Sequence, residues 1–253
     1  MPEGPEVRIM SEKLNSYFAG NTCSSITVFN TNIVKQCPTM PQKLLYVKSR
    51  GKKVIFQFET DMFIVAPLMS GRFIRNINNV SHLGFTMTFN NNVIHFEDKR
   101  KIAKTYLNFC PEIGPDLLDA AINKQPLPLS LFKSCYQNSR AKIGKLLLDQ
   151  TKIAGIGNYL KCEILFFSGL DPRRIGKSLS DDDMEILRAI SHYLILLAYQ
   201  HNGLTIQDYL DPDGNEGTYP RSVYQRTDRK DITIERMTIG DGHGTYWCPA
   251  YQK

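Results

Sequence analysis

Several things are missing from this 253-residue chain, and each absence removes a class of protein. No two of its six cysteines (Cys23, Cys37, Cys110, Cys135, Cys162, Cys248) form a C-x-x-C pair. The spacing therefore suggests neither a zinc site nor a disulfide framework, and reduced thiols are expected. The apolar stretch from Tyr193 to Tyr199 falls far short of the ~20 residues that a membrane-spanning helix needs. Near the N-terminus stand acids, where a signal peptide would carry basic residues followed by an apolar segment. There is no internal repeat and no low-complexity tract, and the basic groups are too short and too embedded in predicted structure to read as a nuclear import tail. These features predict a soluble, intracellular, monomeric globular protein without affinity for membranes, and leave nucleus and cytoplasm open.

What is present is an ordinary composition, 42% hydrophobic, long enough for one or two domains with a sizeable core. The net charge of +6 favours a polyanionic partner. The basic residues cluster: Lys48, Arg50, Lys52 and Lys53; Lys99, Arg100, Lys101 and Lys104; Arg226, Arg229 and Lys230. One such group usually marks a solvated face, whereas three together point toward nucleic acid.

The chain opens Met1-Pro2-Glu3-Gly4-Pro5-Glu6. If Met1 is removed, Pro2 presents a secondary amine with a carboxylate next to it. An α-amino group titrates near 7.7–8.0 and a lysine near 10.4, so at neutral pH a terminal amine is unprotonated on the order of a hundred times more often, somewhat less for proline. A secondary amine attacking an electrophilic carbon gives an iminium, and elimination from the adjacent carbon then becomes easy. The same prolines and acids also suit a plain helix start, and these six residues alone do not separate the two readings.

Val7, Ile9, Met10, Leu14, Tyr17 and Phe18 predict an amphipathic helix from Pro5 to about Phe18, with Gly20 as its stop. Short strands follow at Ser25–Phe29, Lys53–Phe58, Met62–Ala66, Phe85–Phe89, Val93–Phe96 and Ala103–Leu107, to be packed as a sandwich or flattened barrel. Pro115, Pro126 and Pro128 break the pattern. Domain 1–112, a linker over 113–128 and a helical domain 129–253 are expected. The helices are read at Leu129–Tyr136, Lys142–Leu148, Asn158–Phe167 and Ser180–Tyr199, the last capped by Ser180. Lys152-Ile153-Ala154-Gly155-Ile156-Gly157-Asn158 puts two glycines before a helix N-terminus, which allows close approach to a phosphate, although a glycine-rich turn between helices is often only a turn. Ile232–Met237, the turn signal Asp241-Gly242 and Thr245–Cys248 predict a terminal β-hairpin, the last part of a finger from about 218 to 253.

Four separated motifs resemble one family, the Fpg/Nei base-excision enzymes (formamidopyrimidine-DNA glycosylase and endonuclease VIII). They are Pro2-Glu3-Gly4-Pro5-Glu6, Arg50-Gly51-Lys52, Gly155-Ile156-Gly157-Asn158-Tyr159 continuing to Glu163, and Cys248-Pro249-Ala250-Tyr251-Gln252. Met69-Ser70-Gly71 and Ile113-Gly114-Pro115-Asp116 look like further signposts, and the resemblance covers the whole chain in order. It implies an α+β fold: an N-terminal helix on a two-layer β-sandwich, then a helical domain with a helix-two-turns-helix motif and a hairpin finger, with damaged DNA, duplex or single-stranded, bound in the cleft between. Such enzymes flip a damaged base, cut its glycosidic bond and nick the strand as bifunctional glycosylases and AP lyases, without a cofactor. By the resemblance Pro2 attacks C1′, Glu3 is the general acid on the ring oxygen, and Glu6 is a second acid of structural or electrostatic role. Lys52 and Asn158 contact phosphate, with Lys152 and Gly157 in the same helix-turn segment. Met69 is the wedge, with Arg100 and Ile102 beside it, the latter where the family often has phenylalanine.

The chain also departs from the family pattern. One zinc-ligand position of the finger is Tyr251 and the earlier pair is absent from Tyr224 to Asp231, so the hairpin resembles the zincless finger of Nei-like members. The finger arginine is replaced by His243. Either His243 partly takes over its phosphate contact, or Arg226, Arg229 or Lys230 does and His243 is a turn residue. The short segment from Gly217 to Tyr224 favours oxidised pyrimidines and ring-opened purines over 8-oxoguanine.

Overall fold

The computed structural model describes residues 2–75, 80–90, 92–205, 209–227 and 232–253. Helix α1 (Gly4–Phe18) begins with a reciprocal capping box between Glu3 and Glu6 and a proline in its first turn. Both devices satisfy or remove amides that a helix start leaves unpaired. Val7, Met10, Leu14 and Phe18 recur at helical spacing and are at most 1% exposed. Burying side chains of this size stabilises by about 1.5–3 kcal/mol each.

The helix lies on β2 (Gln42–Arg50) and β3 (Lys53–Phe58), with the Val47 amide donating to Asn15 Oδ1 at 2.8 Å. The other strands are β1 (Thr22–Val28), β4 (Met62–Ala66), β5 (Gly71–Arg75), β6 (Leu83–Phe89), β7 (Asn92–Asp98) and β8 (Lys104–Leu107). Their order is β5-β7-β6-β1-β2-β3-β4-β8, all pairs antiparallel. Only Thr22–Lys43 and Cys23–Gln42 join β1 to β2, so the sheet turns there into two four-stranded halves. Phe73, Phe85 and Phe96 from one half meet Phe56 and Phe63 from the other, with Phe56–Phe73 centroids 5.6 Å apart and Phe63–Phe85 5.5 Å apart. This is the two-layer sandwich, built by inward-facing aromatics on alternating positions.

Two strands were not anticipated. β2 carries Lys43, Lys48 and Arg50 and leaves Leu45 46% exposed, so its period-2 pattern is blurred. β5 is only five residues long and hides behind the Met69-Ser70-Gly71 motif. Helix α2 (Leu117–Ile122) likewise lies inside the stretch expected to be linker, between the prolines that break the pattern. Asp116 accepts the Leu118 and Asp119 amides and so starts it.

The chain forms two compact units: 1–112 with 201–219, and 113–200 with 220–253. The segment 201–219 thus returns to the sandwich unit, where Tyr209 enters the core. In the second unit follow α3 (Leu129–Phe132) with a π-helical turn to Gln137, α4 (Ile143–Leu146), α5 (Asn158–Phe167), α6 (Asp181–Gln200) and the hairpin β9 (Glu235–Thr238) and β10 (Gly244–Trp247). Ser180 and Asp183 cap α6 reciprocally. α5 is buried from Asn158 through Phe166, the burial pattern of a helix packed on all sides. No helix among the described residues is long and apolar enough to cross a membrane.

Candidate functional site

In the sandwich unit the chemistry-bearing residues gather at the start of α1. Pro2 is buried, Glu3 is 1% exposed and Glu6 is fully buried. Glu6 Oε2 accepts the Glu3 amide at 2.7 Å and Oε1 accepts the Leu204 amide at 2.8 Å, so one carboxylate fixes the chain start and pins the returning segment. Gly203 makes this approach possible: it sits at φ +82, and a Cβ there would lie 2.5 Å from Glu6 Oε1. Lys52 occupies the two-residue turn between β2 and β3, after Gly51 at φ +56. Burial pushes its ammonium pKa down, against the opposing pull of the Glu3 and Glu6 carboxylates. Pro2, Glu3, Glu6 and Lys52 are therefore one cluster around the chain start, drawn from two elements far apart in sequence.

Met69, Arg100 and Ile102 form a second group. Arg100 Nη1 lies 3.6 Å from Met69 Sδ, Arg100 is exposed, and Ile102 is 38% exposed, unusual for a large aliphatic side chain. The residue that organises them is Asp98, fully buried at the end of β7. Its Oδ2 accepts the Ile102 and Ala103 amides at 2.7 Å each, and its Oδ1 accepts the Arg100 amide and the Ser70 hydroxyl, which ties the Met69 turn to the Arg100 turn. Sequence reasoning missed Asp98; an acid directly preceding the basic group from Lys99 to Lys101 was the available signal.

In the helical unit, Gly157 stands at the N-cap of α5 and Asn158 at its first position. One Nδ2 hydrogen of Asn158 is committed to the Gly244 carbonyl at 3.0 Å. His243 and Lys152 line a groove of ≈ 550 Å³ together with Lys145 and Ser139, with Asp149 and Asp241 also on its wall. Of the alternatives to His243, Arg226 is exposed, while Arg229 and Lys230 lie outside the described residues.

Two family models match the chain, the formamidopyrimidine-DNA glycosylase N-terminal domain over residues 1–105 and the formamidopyrimidine-DNA glycosylase H2TH (helix-two-turns-helix) domain over 113–209. The chain belongs to the formamidopyrimidine-DNA glycosylase family. Formamidopyrimidine-DNA glycosylases of Carboxydothermus hydrogenoformans and Zymomonas mobilis are each 29% identical to it, over the full length of both chains. Among solved structures, a Lactococcus lactis Fpg mutant in complex with a THF-containing DNA aligns with TM-score 0.90 at 23% identity, covering 100% of both chains. The MutM (FPG) protein from Thermus thermophilus aligns with TM-score 0.89 at 24% identity, covering 99% of this chain and 98% of its own.

This member of the glycosylase family holds its finger by packing and hydrogen bonds. Cys162 and Phe166 of α5 pack with Val223, Ile234 and Cys248, and Tyr224 and Tyr246 lean on that cluster. Glu163, fully buried, accepts the amides of Ser222, Val223 and Tyr224 at 2.7–2.9 Å. Gln252 accepts the Cys248 amide and donates to the Leu170 carbonyl, fastening the chain after β10. The Tyr251 ring packs against Phe166 with centroids 5.3 Å apart and the planes tilted by 43°. Among the described residues no group of His, Cys, Asp and Glu is placed to hold a metal ion.

Proposed function

We propose that this chain is a base-excision-repair enzyme, a bifunctional DNA glycosylase and AP lyase acting on oxidised bases. With Met1 removed, the Pro2 nitrogen attacks C1′ of the lesion nucleoside and the glycosidic bond breaks, the base leaving with a proton in exchange for the one that the Pro2 nitrogen gives up. Glu3 protonates the deoxyribose ring oxygen as the ring opens, and the Pro2 lone pair completes an iminium at C1′. Loss of a C2′ proton then expels the 3′ phosphate, and a second elimination expels the 5′ phosphate. The iminium is the electron sink for both steps. The observation that supports this reading is the convergence of Glu3, Glu6 and Lys52 on the chain start, with Glu6 holding backbone amides and Glu3 next to Pro2.

Damaged duplex DNA is the partner. Flipping a base costs a few kcal/mol of stacking and pairing, offset by Met69, Arg100 and Ile102 in the vacated stack and by phosphate contacts from Lys52, Lys152, Asn158 and His243. Ile102 fills volume where an aromatic would stack, so the hold on the opposite base is weaker. A Lactococcus lactis Fpg mutant has been solved with DNA containing Fapy-dG, and the wild-type Lactococcus lactis Fpg with DNA containing an oxidised pyrimidine. We extend both lesion classes, ring-opened purines and oxidised pyrimidines, to this chain.

The test is the mass of the native N-terminus together with borohydride trapping on abasic-site DNA, duplex and single-stranded, for wild type, Pro2→Gly and Glu3→Gln. A covalent complex in wild type that is lost in Pro2→Gly is the expected result. If Met1 is absent and wild type traps nothing, the reading fails. A cleavage panel of 8-oxoguanine, ring-opened purine and oxidised pyrimidine then sets the lesion class.

A further inference from the structure

Helix α5 faces the terminal hairpin with Asn158, Lys161 and Cys162, which share one side of the helix by their spacing. All three reach the hairpin: Asn158 Nδ2 donates to the Gly244 carbonyl at 3.0 Å, and the Tyr246 amide donates to Cys162 Sγ at 3.4 Å. Between them Lys161, fully buried in a largely apolar helix, donates to Asp241 Oδ2 at 2.6 Å and to Thr245 Oγ1 at 2.8 Å. The Asp241 side chain is only 2% exposed, and its second oxygen accepts the His243 amide at 3.0 Å. The ammonium of α5 is thus linked through one carboxylate to the backbone of the residue that lines the groove with Lys145 and Lys152.

An apolar pair of similar volume would hold the hairpin against α5 at least as well, because desolvating two charges offsets most of their attraction. What a charged pair adds is orientation. An ammonium with two fixed acceptors tolerates one placement of the turn, while hydrophobic contact tolerates several. We propose that Lys161, Asp241 and Thr245 form a metal-independent latch that fixes the finger turn in the orientation in which it meets DNA phosphate. Lys161 and Asp241 are positioning residues that act through the backbone at His243. The consequence for DNA rests on the function proposed above; the latch itself does not.

Trp247, the sole tryptophan of the chain, lies in β10, 5% exposed and with the Arg173 guanidinium 4.6 Å from its ring, so its emission reports the hairpin alone. Urea unfolding of the full-length protein is followed by tryptophan emission and by far-ultraviolet circular dichroism. Wild type is expected to give coincident transitions, and in Asp241→Asn and Lys161→Met the tryptophan transition comes first. In the same variants, at about pH 6, Kd for an abasic-site duplex rises several-fold and the slope of log K against log salt loses about one unit, the share of one phosphate contact. Should Asp241→Asn not fold, Thr245→Val keeps the ion pair, removes one acceptor and is expected to show the same early tryptophan transition. Coincident transitions in the variants overturn the latch, and a salt slope equal to that of wild type at about pH 6 overturns its part in meeting DNA phosphate. If wild type itself does not bind the duplex, the DNA reading falls instead, and the urea comparison still decides the latch.

Discussion

Each unit of the molecule contains a fully buried glutamate used as a clamp on backbone amides, and the two are put to different ends. Glu6 accepts the Glu3 and Leu204 amides, and Glu163 accepts those of Ser222, Val223 and Tyr224. Around Glu163 the clamp gathers a loop onto α5, and what it serves is the packing of the finger. Around Glu6 the clamp sets a second carboxylate, Glu3, next to a proline at the chain start and near a lysine in a turn. A buried carboxylate is therefore no sign of chemistry by itself. On the function proposed above, the reactive position is the one where a carboxylate is held beside the chain-start proline.

The largest effect that separates the two clamps is catalytic. Glu3→Gln is expected to slow base excision by about 10²–10⁴-fold, the usual worth of a positioned acid, measured as single-turnover rates at saturating DNA. Glu163→Gln, in contrast, is expected to leave that rate near wild type. Equal losses in both variants would erase the distinction.

Stability orders the two clamps themselves, Glu6 and Glu163, the other way. Removing a clamp leaves buried amides unpaired at about 1–3 kcal/mol each. Glu163→Ala, which orphans the amides of Ser222, Val223 and Tyr224, is expected to cost more than Glu6→Ala, which among the described residues orphans the amides of Glu3 and Leu204, in urea denaturation. The reverse order would mean that Glu6 carries more of the fold than its hydrogen bonds indicate.

Acid sharpens the contrast between the units. Burial alone would raise the Asp211 carboxyl, but hydrogen bonds from Lys13, Asn215 and the Asp213 amide outweigh it and hold the pKa below its ordinary 3.8. Its contribution is complete above that ordinary value and is lost as pH falls through the lower, folded value. Burial pushes Glu163 above its ordinary 4.5 despite three amide donors. The folded protein then holds that proton more tightly than the unfolded chain, so this contribution is greatest at low pH and is lost as pH rises through the window above the ordinary value. Between about pH 3 and 7, the Tm advantage of wild type over Asp211→Asn is expected to grow with pH, whereas that over Glu163→Gln shrinks. Parallel profiles would refute the assignment.

The smallest effect belongs to His243. An imidazole with a reference pKa near 6.5 is largely protonated at about pH 6 and largely neutral at about pH 8. His243→Ala is expected to lower duplex affinity at the acid end, with a loss of up to about 0.9 in salt slope, and to matter little at the alkaline end. Unchanged affinity at both ends would hand the contact to a neighbouring arginine or lysine.

Much of this was legible in the chain itself. α1, β3, β4, α5 and the final hairpin follow from periodicity and turn residues within a few positions of their observed bounds, because their patterns are local. β2, β5 and α2 were not read. The first carries charges on an exposed face, the second is short, and the third sits among prolines where a capping aspartate decides. Of the site, Pro2, Glu3, Glu6 and Lys52 were named from motifs, whereas Asp98, Leu204 and Lys161 were not. Each has a partner far away in sequence, Ser70 for Asp98, Glu6 for Leu204 and Asp241 for Lys161, at separations of 28, 198 and 80 residues.

The sequence by itself determined most of the elements, the motifs and the kind of chemistry to expect, since hydrophobic period, turn residues and a proline beside an acid act over a few neighbouring positions. Only the tertiary structure decided which acids hold backbone amides of distant segments and which stands at the chain start with a lysine near it. It also decided that 201–219 returns to the sandwich unit and that a lysine within α5 holds the finger turn. The reason is physical: a buried charge is tolerable only where distant segments bring it partners, and no local pattern records where those partners are.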